Sequence, residues 1–245
     1  MKKIVVPLSG GMDSAVLLYK AAAEADEVHC IVFDYGQRHS RELICAGYLY
    51  ADAKFKSKKP IFLKTVDATF IKHLAPTSSL TNNDIATPDI RKIAGEAQPK
   101  SYVPFRNLMF LSIALSHAEA VGATEVWHGA TAVDSLAGYW DASPEFLPQL
   151  NAVSALNREH KIQVIAPLIA CDKADIVKMG ISLQVPFDHT YTCYSGDKLA
   201  DATTPSSSMR IQGFIKAGYK DPIEYKQQDQ IDKLYEQHQC KSIEY

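Results

Sequence analysis

Six consecutive residues near the start of the chain, Ser9-Gly10-Gly11-Met12-Asp13-Ser14, have the types and spacing of a phosphate site. The two glycines let the backbone approach an anion with no Cβ in the way. A tight turn there aims several N–H groups in one direction, and the start of a following helix adds partial positive charge. Ser9 and Ser14 supply hydroxyl donors. Asp13 would repel a phosphate, so holding Mg²⁺ or orienting the loop is its expected task. The pattern is neither G-x-x-x-x-G-K-[ST], since no lysine follows, nor G-x-G-x-x-G. A plain strand–helix turn accounts for Gly-Gly alone; it does not account for all five specified residues together.

Four further segments carry reactive or recognising side chains. They are Phe33-Asp34-Tyr35-Gly36-Gln37-Arg38-His39, then Ser101-Tyr102-Val103-Pro104-Phe105-Arg106-Asn107. Next come Asp134 with Gly138-Tyr139-Trp140-Asp141-Ala142-Ser143-Pro144-Glu145, and Pro167-Leu168-Ile169 with Asp172-Lys173. Each is expected at a strand C-terminus or a helix N-terminus, where open α/β sheets bind ligands. His39 could equally cap a helix at 40, and His128 at a strand end is expected to be structural.

The elements that must position these residues are legible in the apolar pattern. Residues 4–8 form a β-branched strand, with Pro7 expected to end its pairing, and a helix follows over 14–25. Strand 28–33, helix 40–55 and strand 60–64 continue the alternation. Residues 76–104, rich in proline and polar residues, form a long excursion with one short helix near 88–96. Helix 106–121 ends at Gly122, and strand 125–129 follows. Helix 143–157 opens with Ser143 as N-cap and Pro144 at its first position. Strand 162–166 leads to helix 173–179, capped by Asp172 and ended by Gly180. Helices near 206–217 and 225–239 close the chain. Alternation of this kind predicts an α/β fold with a doubly wound parallel sheet. The expected division is 1–185 for that unit and 186–245 for a small helical C-terminal extension.

Composition narrows the partners. The chain has 245 residues, 47% of them hydrophobic, enough for one sizeable core. A net charge of -2 argues against a nucleic-acid surface and for a small-molecule substrate. No apolar run approaches the length of a membrane span. The five cysteines are widely spaced with no C-x-x-C pair, which predicts a reduced, cytoplasmic protein.

On the Ser9–Ser14 loop the sequence resembles the PP-loop ATP-pyrophosphatase family, the nucleotide α-hydrolases. On the Tyr35–His39 and Val103–Asn107 segments it resembles the 7-cyano-7-deazaguanine synthases within that family, over residues 3 to about 225. The resemblance implies an ATP-dependent carbon–nitrogen ligase. A substrate carboxylate attacks the α-phosphorus of ATP, pyrophosphate leaves, and ammonia displaces AMP. The implied substrate is 7-carboxy-7-deazaguanine, taken to the amide and then to the nitrile with a second ATP. Leu8, Ser9, Gly10, Gly11, Asp13, Ser14, Phe33 and Gln37 would hold the nucleotide. Tyr35 and Tyr139 offer stacking faces for a deazapurine. Asp134, Asp141 or Glu145 could accept from its N–H groups, and Arg38 or Arg106 could clamp its carboxylate. His39 and Asn107 join this substrate set. Lys173 would neutralise phosphate charge, and Asp13, Lys173 and Arg106 are the expected catalytic residues. Relatives suggest a homodimer.

The chain departs from the family pattern in three places. The family carries four zinc-binding cysteines near its C-terminus; here Cys193 is kept, while Asp201, Thr204 and Ser207 stand where the other three belong. Hydroxyls are poor zinc ligands, so no zinc is expected, and something else must hold this segment. Phe105 replaces a glycine and is expected to narrow the approach to its loop. Ala142-Ser143 replaces Cys-Arg beside the expected substrate pocket. These changes leave nitrile synthesis, arrest at the amide or a different carboxylate as alternatives. A nucleotide-binding protein without turnover is a further one, against which the intact loop and Lys173 argue.

Overall fold

Five short apolar runs pair side by side into one parallel sheet. They are β1 (Lys3–Pro7), β2 (Glu27–Asp34), β3 (Ile61–Asp67), β4 (Glu125–Trp127) and β5 (Gln163–Ile165), in the order β3-β2-β1-β4-β5. The computed structural model describes residues 1–36, 40–82, 84–85, 101–136, 139–192 and 199–244. The chain winds outward from β1 to β3, then crosses to β4 on the other side. The strand order therefore reverses between β1 and β4, which opens a crevice at their C-terminal ends.

Both faces of the sheet are buried at its centre, as a parallel sheet requires, while the edge strand β3 is largely exposed. Ile4, Val6, Val28, Cys30 and Val32 pack on one face with α1 (Met12–Glu24), α2 (Ser40–Ser57) and α7 (Lys173–Ser182). Val5, Ile31, Phe33, Val126 and Val164 pack on the other with α4 (Arg106–Val121) and α6 (Phe146–Ser154). Pro7 is the last residue of β1, still in register with Ile31. Gly122 takes the left-handed conformation at the end of α4, as expected. Among the described residues no helix is long and apolar enough to cross a membrane.

Several expectations need correction. Helix α6 starts at Phe146 with Glu145 as N-cap, so Ser143 and Pro144 precede the helix instead of opening it. Helix α7 runs through Gly180 to Ser182. Gly180 does not stop the helix; a Cβ there would lie 2.2 Å from the ring of Phe187. Its role is close packing. Asp172 does cap α7, in a reciprocal capping box with Asp175. Two five-residue helices, α3 (Phe70–Leu74) and α5 (Ala132–Leu136), were not anticipated. The helix expected near 88–96 lies outside the described residues.

The C-terminal part packs through α8 (Pro205–Ala217) onto α7, with α9 (Gln228–Gln237) following. Positions 201, 204 and 207 do not fit a zinc site. Thr204 is the N-cap of α8 and accepts from Ser207 N–H, with the two hydroxyls 2.9 Å apart. The Asp201 carboxylate accepts from Thr203 N–H at 3.0 Å and from Gln227 Nε2 at 3.2 Å. Cys193 lies outside the described residues. A buried ion pair joins the segment together: the guanidinium of Arg210 donates to both oxygens of Asp221, at 2.6 and 2.8 Å. Arg210 also donates to Thr190 Oγ1 and to the Phe187 carbonyl, and Tyr225 donates to Asp221 at 2.7 Å. Tyr191 N–H then donates to the Gly10 carbonyl at 3.0 Å, tying the C-terminal segment to the first loop.

Candidate active site

The crevice between the C-terminal ends of β1, β2 and β4 is a cleft whose floor is the Ser9–Ser14 turn. Gly10 has φ 86°, the left-handed region that glycine adopts readily. A Cβ at this position would lie 2.2 Å from the Glu42 carbonyl oxygen, so the loop packs directly on the first turn of α2. The Ser9 and Ser14 hydroxyls lie 3.0 Å apart, and Ser14 Oγ donates to the Gly11 carbonyl at 3.0 Å. Ser9 N–H points at Ser14 Oγ, 3.2 Å away. The loop is thus internally braced, with Leu8 buried behind it.

Asp13 lines the cleft and pairs with Lys173, the first residue of α7. Lys173 Nζ donates to Asp13 Oδ2 at 2.7 Å. Burial pulls the Lys173 ammonium down, but the charges of Asp13 and Asp134 outweigh it and hold the group above its ordinary value. The other oxygen, Asp13 Oδ1, is buried and has no hydrogen-bond partner among the described residues. Such an orphaned oxygen is the kind of atom a divalent cation would satisfy.

The opposite wall comes from α4 and the end of β2. Arg106 opens α4, donates to Tyr35 Oη at 3.4 Å and lies 5.7 Å from the Tyr35 ring centre. Phe33 stacks on Phe110 with ring centres 4.0 Å apart, giving a flat apolar surface beside the loop. Asn107 also lines the cleft. Tyr139 lies there too, with its hydroxyl 2.8 Å from Ser101 Oγ. Asp134 reaches in from α5, one oxygen accepting from Thr131 N–H at 2.9 Å and Thr131 Oγ1 at 2.7 Å.

Asp141 is buried and does not itself line the cleft. Burial raises its carboxyl, with the charge of Arg106 and the hydrogen-bonding of Asn107 pulling the other way. Glu145 is exposed at the start of α6 and does not line the cleft. Gln37, Arg38 and His39 lie outside the described residues. Phe105 corrects an expectation: its ring is 56% exposed and packs edge-on against Trp140 at 5.3 Å, so it does not narrow the cleft. The backbone cost is visible, since Phe105 sits at φ 55° where a glycine would be at ease. Ala142 does line the cleft, as its position beside the pocket implied.

Two titratable lining residues, His128 and Glu42, were not expected as site residues. His128 was expected to be structural; it follows β4, and its Nε2 lies 3.2 Å from the Asp141 carbonyl. Burial lowers its imidazole to about 4, so it is neutral near pH 7. Glu42, in the first turn of α2, has its carboxyl raised by burial to about 7, with only the charge of Arg106 opposing. A larger hollow of about 670 Å³ lies between α8 and α9, lined by Ile211, Ile215, Ile231 and Leu234. The Ser9–Ser14 loop and Arg106 line the cleft and not this hollow.

The family model described as queuosine biosynthesis protein QueC matches residues 3–218. The chain belongs to this family. The QueC match spans β1 through the end of α8, and so takes in both the Ser9–Ser14 loop and the Arg210 segment. Relatives agree along nearly their full lengths. The 7-cyano-7-deazaguanine synthase of Clostridium kluyveri is 38% identical over 239 residues, 92% of this chain and 99% of the relative. That of Thermoplasma volcanium is 41% identical over 229 residues, 91% of each chain. That of Thermoplasma acidophilum is 38% identical over 242 residues, 96% of each.

Proposed function

We propose that this QueC-family protein is an ATP-dependent ligase that converts 7-carboxy-7-deazaguanine and ammonia to 7-cyano-7-deazaguanine, through the amide. One observation carries this reading: the braced Ser9–Ser14 loop, whose Asp13 is paired to Lys173, shares one cleft with Arg106 and Tyr35. A seat for phosphate and a seat for a carboxylate on an aromatic ring are then neighbours.

The residues divide the work by their chemistry. Loop amides and the Ser9 and Ser14 hydroxyls receive the phosphates of ATP, with its adenine against Leu8 and the Phe33 face. Arg106 orients the substrate carboxylate, aligned for attack on the α-phosphorus. Lys173 offsets the negative charge that builds as pyrophosphate leaves. Tyr35 and Tyr139 border the deazapurine ring, and Asp134 and Asp141 accept from its N–H groups. Asn107, Gln37, Arg38 and His39 complete the proposed set; Glu145 would join it only through a change of position. Asp13 would hold Mg²⁺ through its unpartnered oxygen, and the bound ion would neutralise phosphate charge. Ammonia then displaces AMP to give the amide, and a second activation of the amide oxygen followed by loss of AMP leaves the nitrile.

The test is incubation with 7-carboxy-7-deazaguanine, ATP, Mg²⁺ and ammonium, followed by mass analysis. Nitrile with AMP and pyrophosphate is the expected result. Accumulation of the amide alone would end the second half of the proposal. Unchanged acid would overturn the substrate.

A further inference from the structure

Glu42 lines the cleft together with the Ser9–Ser14 loop and Arg106. Its backbone packs on the phosphate loop at Gly10, and its side chain lines the same cleft as Arg106 and Tyr35. Among the described residues, the charged and titratable groups that interact with it are Arg106 from α4, Tyr35 from the end of β2, and Cys45 from α2 itself. An acyl-adenylate formed between the loop and Arg106 would place its carbonyl carbon in this region.

The other carboxylates lining the cleft are already engaged. Asp13 is paired to Lys173, and Asp134 accepts two bonds from Thr131. A general base works best when its proton affinity lies near the working pH. Burial gives Glu42 that property, lifting its carboxyl to about 7.

We infer that Glu42 is the catalytic base of the amide-forming step, taking the proton that the incoming nitrogen loses as it bonds to the activated carboxyl carbon. This rests on the reading of the cleft as an acyl-adenylate site. In the step, the ammonia lone pair forms the C–N bond and the bond from carbon to the phosphate oxygen breaks. The electron pair of that bond leaves with AMP, and one N–H proton passes to the Glu42 carboxylate. The same group is placed to accept a proton when the activated amide collapses to the nitrile.

The experiment separates activation from amide formation in the full-length protein. Carboxylate-dependent exchange of labelled pyrophosphate into ATP reports activation; mass analysis at saturating ammonium reports the amide. In Glu42→Gln, exchange is expected to persist while amide formation falls about 10²–10³-fold. The wild-type rate should decline on the acid side with a midpoint near pH 7, and this limb should vanish in Glu42→Gln. Glu42→Asp, which keeps a carboxylate but withdraws it, should lose amide formation selectively and keep an acid limb. Amide formation at the wild-type rate in Glu42→Gln overturns the inference. So does an equal fall of exchange and amide formation in both variants, which would mark Glu42 as a residue that only shapes the site. Absence of carboxylate-dependent exchange in the wild type is a distinct result: it sinks the acyl-adenylate reading, and the role of Glu42 with it.

Discussion

At Gly10 the room for substitution is nil. The backbone is left-handed, and an added methyl would meet the Glu42 carbonyl at 2.2 Å. Gly10→Ala is expected to destabilise the fold by about 1–3 kcal/mol and to abolish ATP binding, checked by urea unfolding and equilibrium dialysis. The two missed titratable groups of the cleft act on stability with opposite sign. His128 has a folded value of about 4, below its ordinary 6.5. The unfolded chain therefore binds more protons between these values, and stability falls as pH drops through that window. Glu42 has a folded value of about 7, above its ordinary 4.5. Its contribution is present below 4.5 and is lost as pH rises through 7. Glu42→Gln should therefore be more stable than wild type at pH 8, by about 1–3 kcal/mol, with the difference shrinking toward pH 5. Urea midpoints at the two pH values measure it. A site residue whose removal stabilises the fold is one retained for function.

At the scale of elements, α7 is fixed by two glycines that act through packing. Gly180 admits the ring of Phe187, and Gly213 of α8 admits the stem of Lys173, where a Cβ would lie 2.6 Å away. Gly213→Ala should therefore displace Lys173 from Asp13 and lower turnover about 10-fold or more, while costing about 1–3 kcal/mol of stability. Steady-state rates beside a melting curve would show it, and unchanged turnover would contradict the positioning role. The helices longer than about three turns, α1, α2, α4 and α8, were legible because apolar spacing has room to repeat in them. Helices α3 and α5 have five residues each, too short to show a period. Gly180 misled because glycine usually ends helices, and only the position of Phe187 reveals its other use. The Ser9–Ser14 loop was legible because all its parts are contiguous. The base strength of Glu42 was not, since it arises from burial by elements far along the chain. Ser143 and Pro144 fitted a helix start by type, yet α6 begins three residues after Ser143, at Phe146.

Across the whole molecule, the C-terminal segment is held by polar contacts centred on Arg210 and Asp221, both fully buried as side chains. Breaking such a pair leaves an uncompensated buried charge. Asp221→Asn is expected to cost about 3–5 kcal/mol, read from chemical unfolding, and to weaken ATP binding through Tyr191 and Gly10. The helix cap at Thr204 and Ser207 leads to a second expectation. Dialysis against a chelator should leave the melting temperature unchanged, and metal analysis should find no stoichiometric zinc. One equivalent of zinc that disappears on mutation of Cys193 would contradict this.

The tie between Tyr191 and Gly10, with the Lys173–Asp13 bond spanning 160 residues, also sets an order of events during synthesis. The ribosome releases the Ser9–Ser14 loop before the partners that brace it. A nascent chain carrying the complete nucleotide motif is therefore not yet a nucleotide-binding protein. Ribosome-bound chains stalled before residue 173 should fail to retain ATP. The capacity should arise abruptly once Tyr191 and the Arg210 segment have cleared the exit tunnel, so that a loop made early becomes competent only when residues made much later arrive.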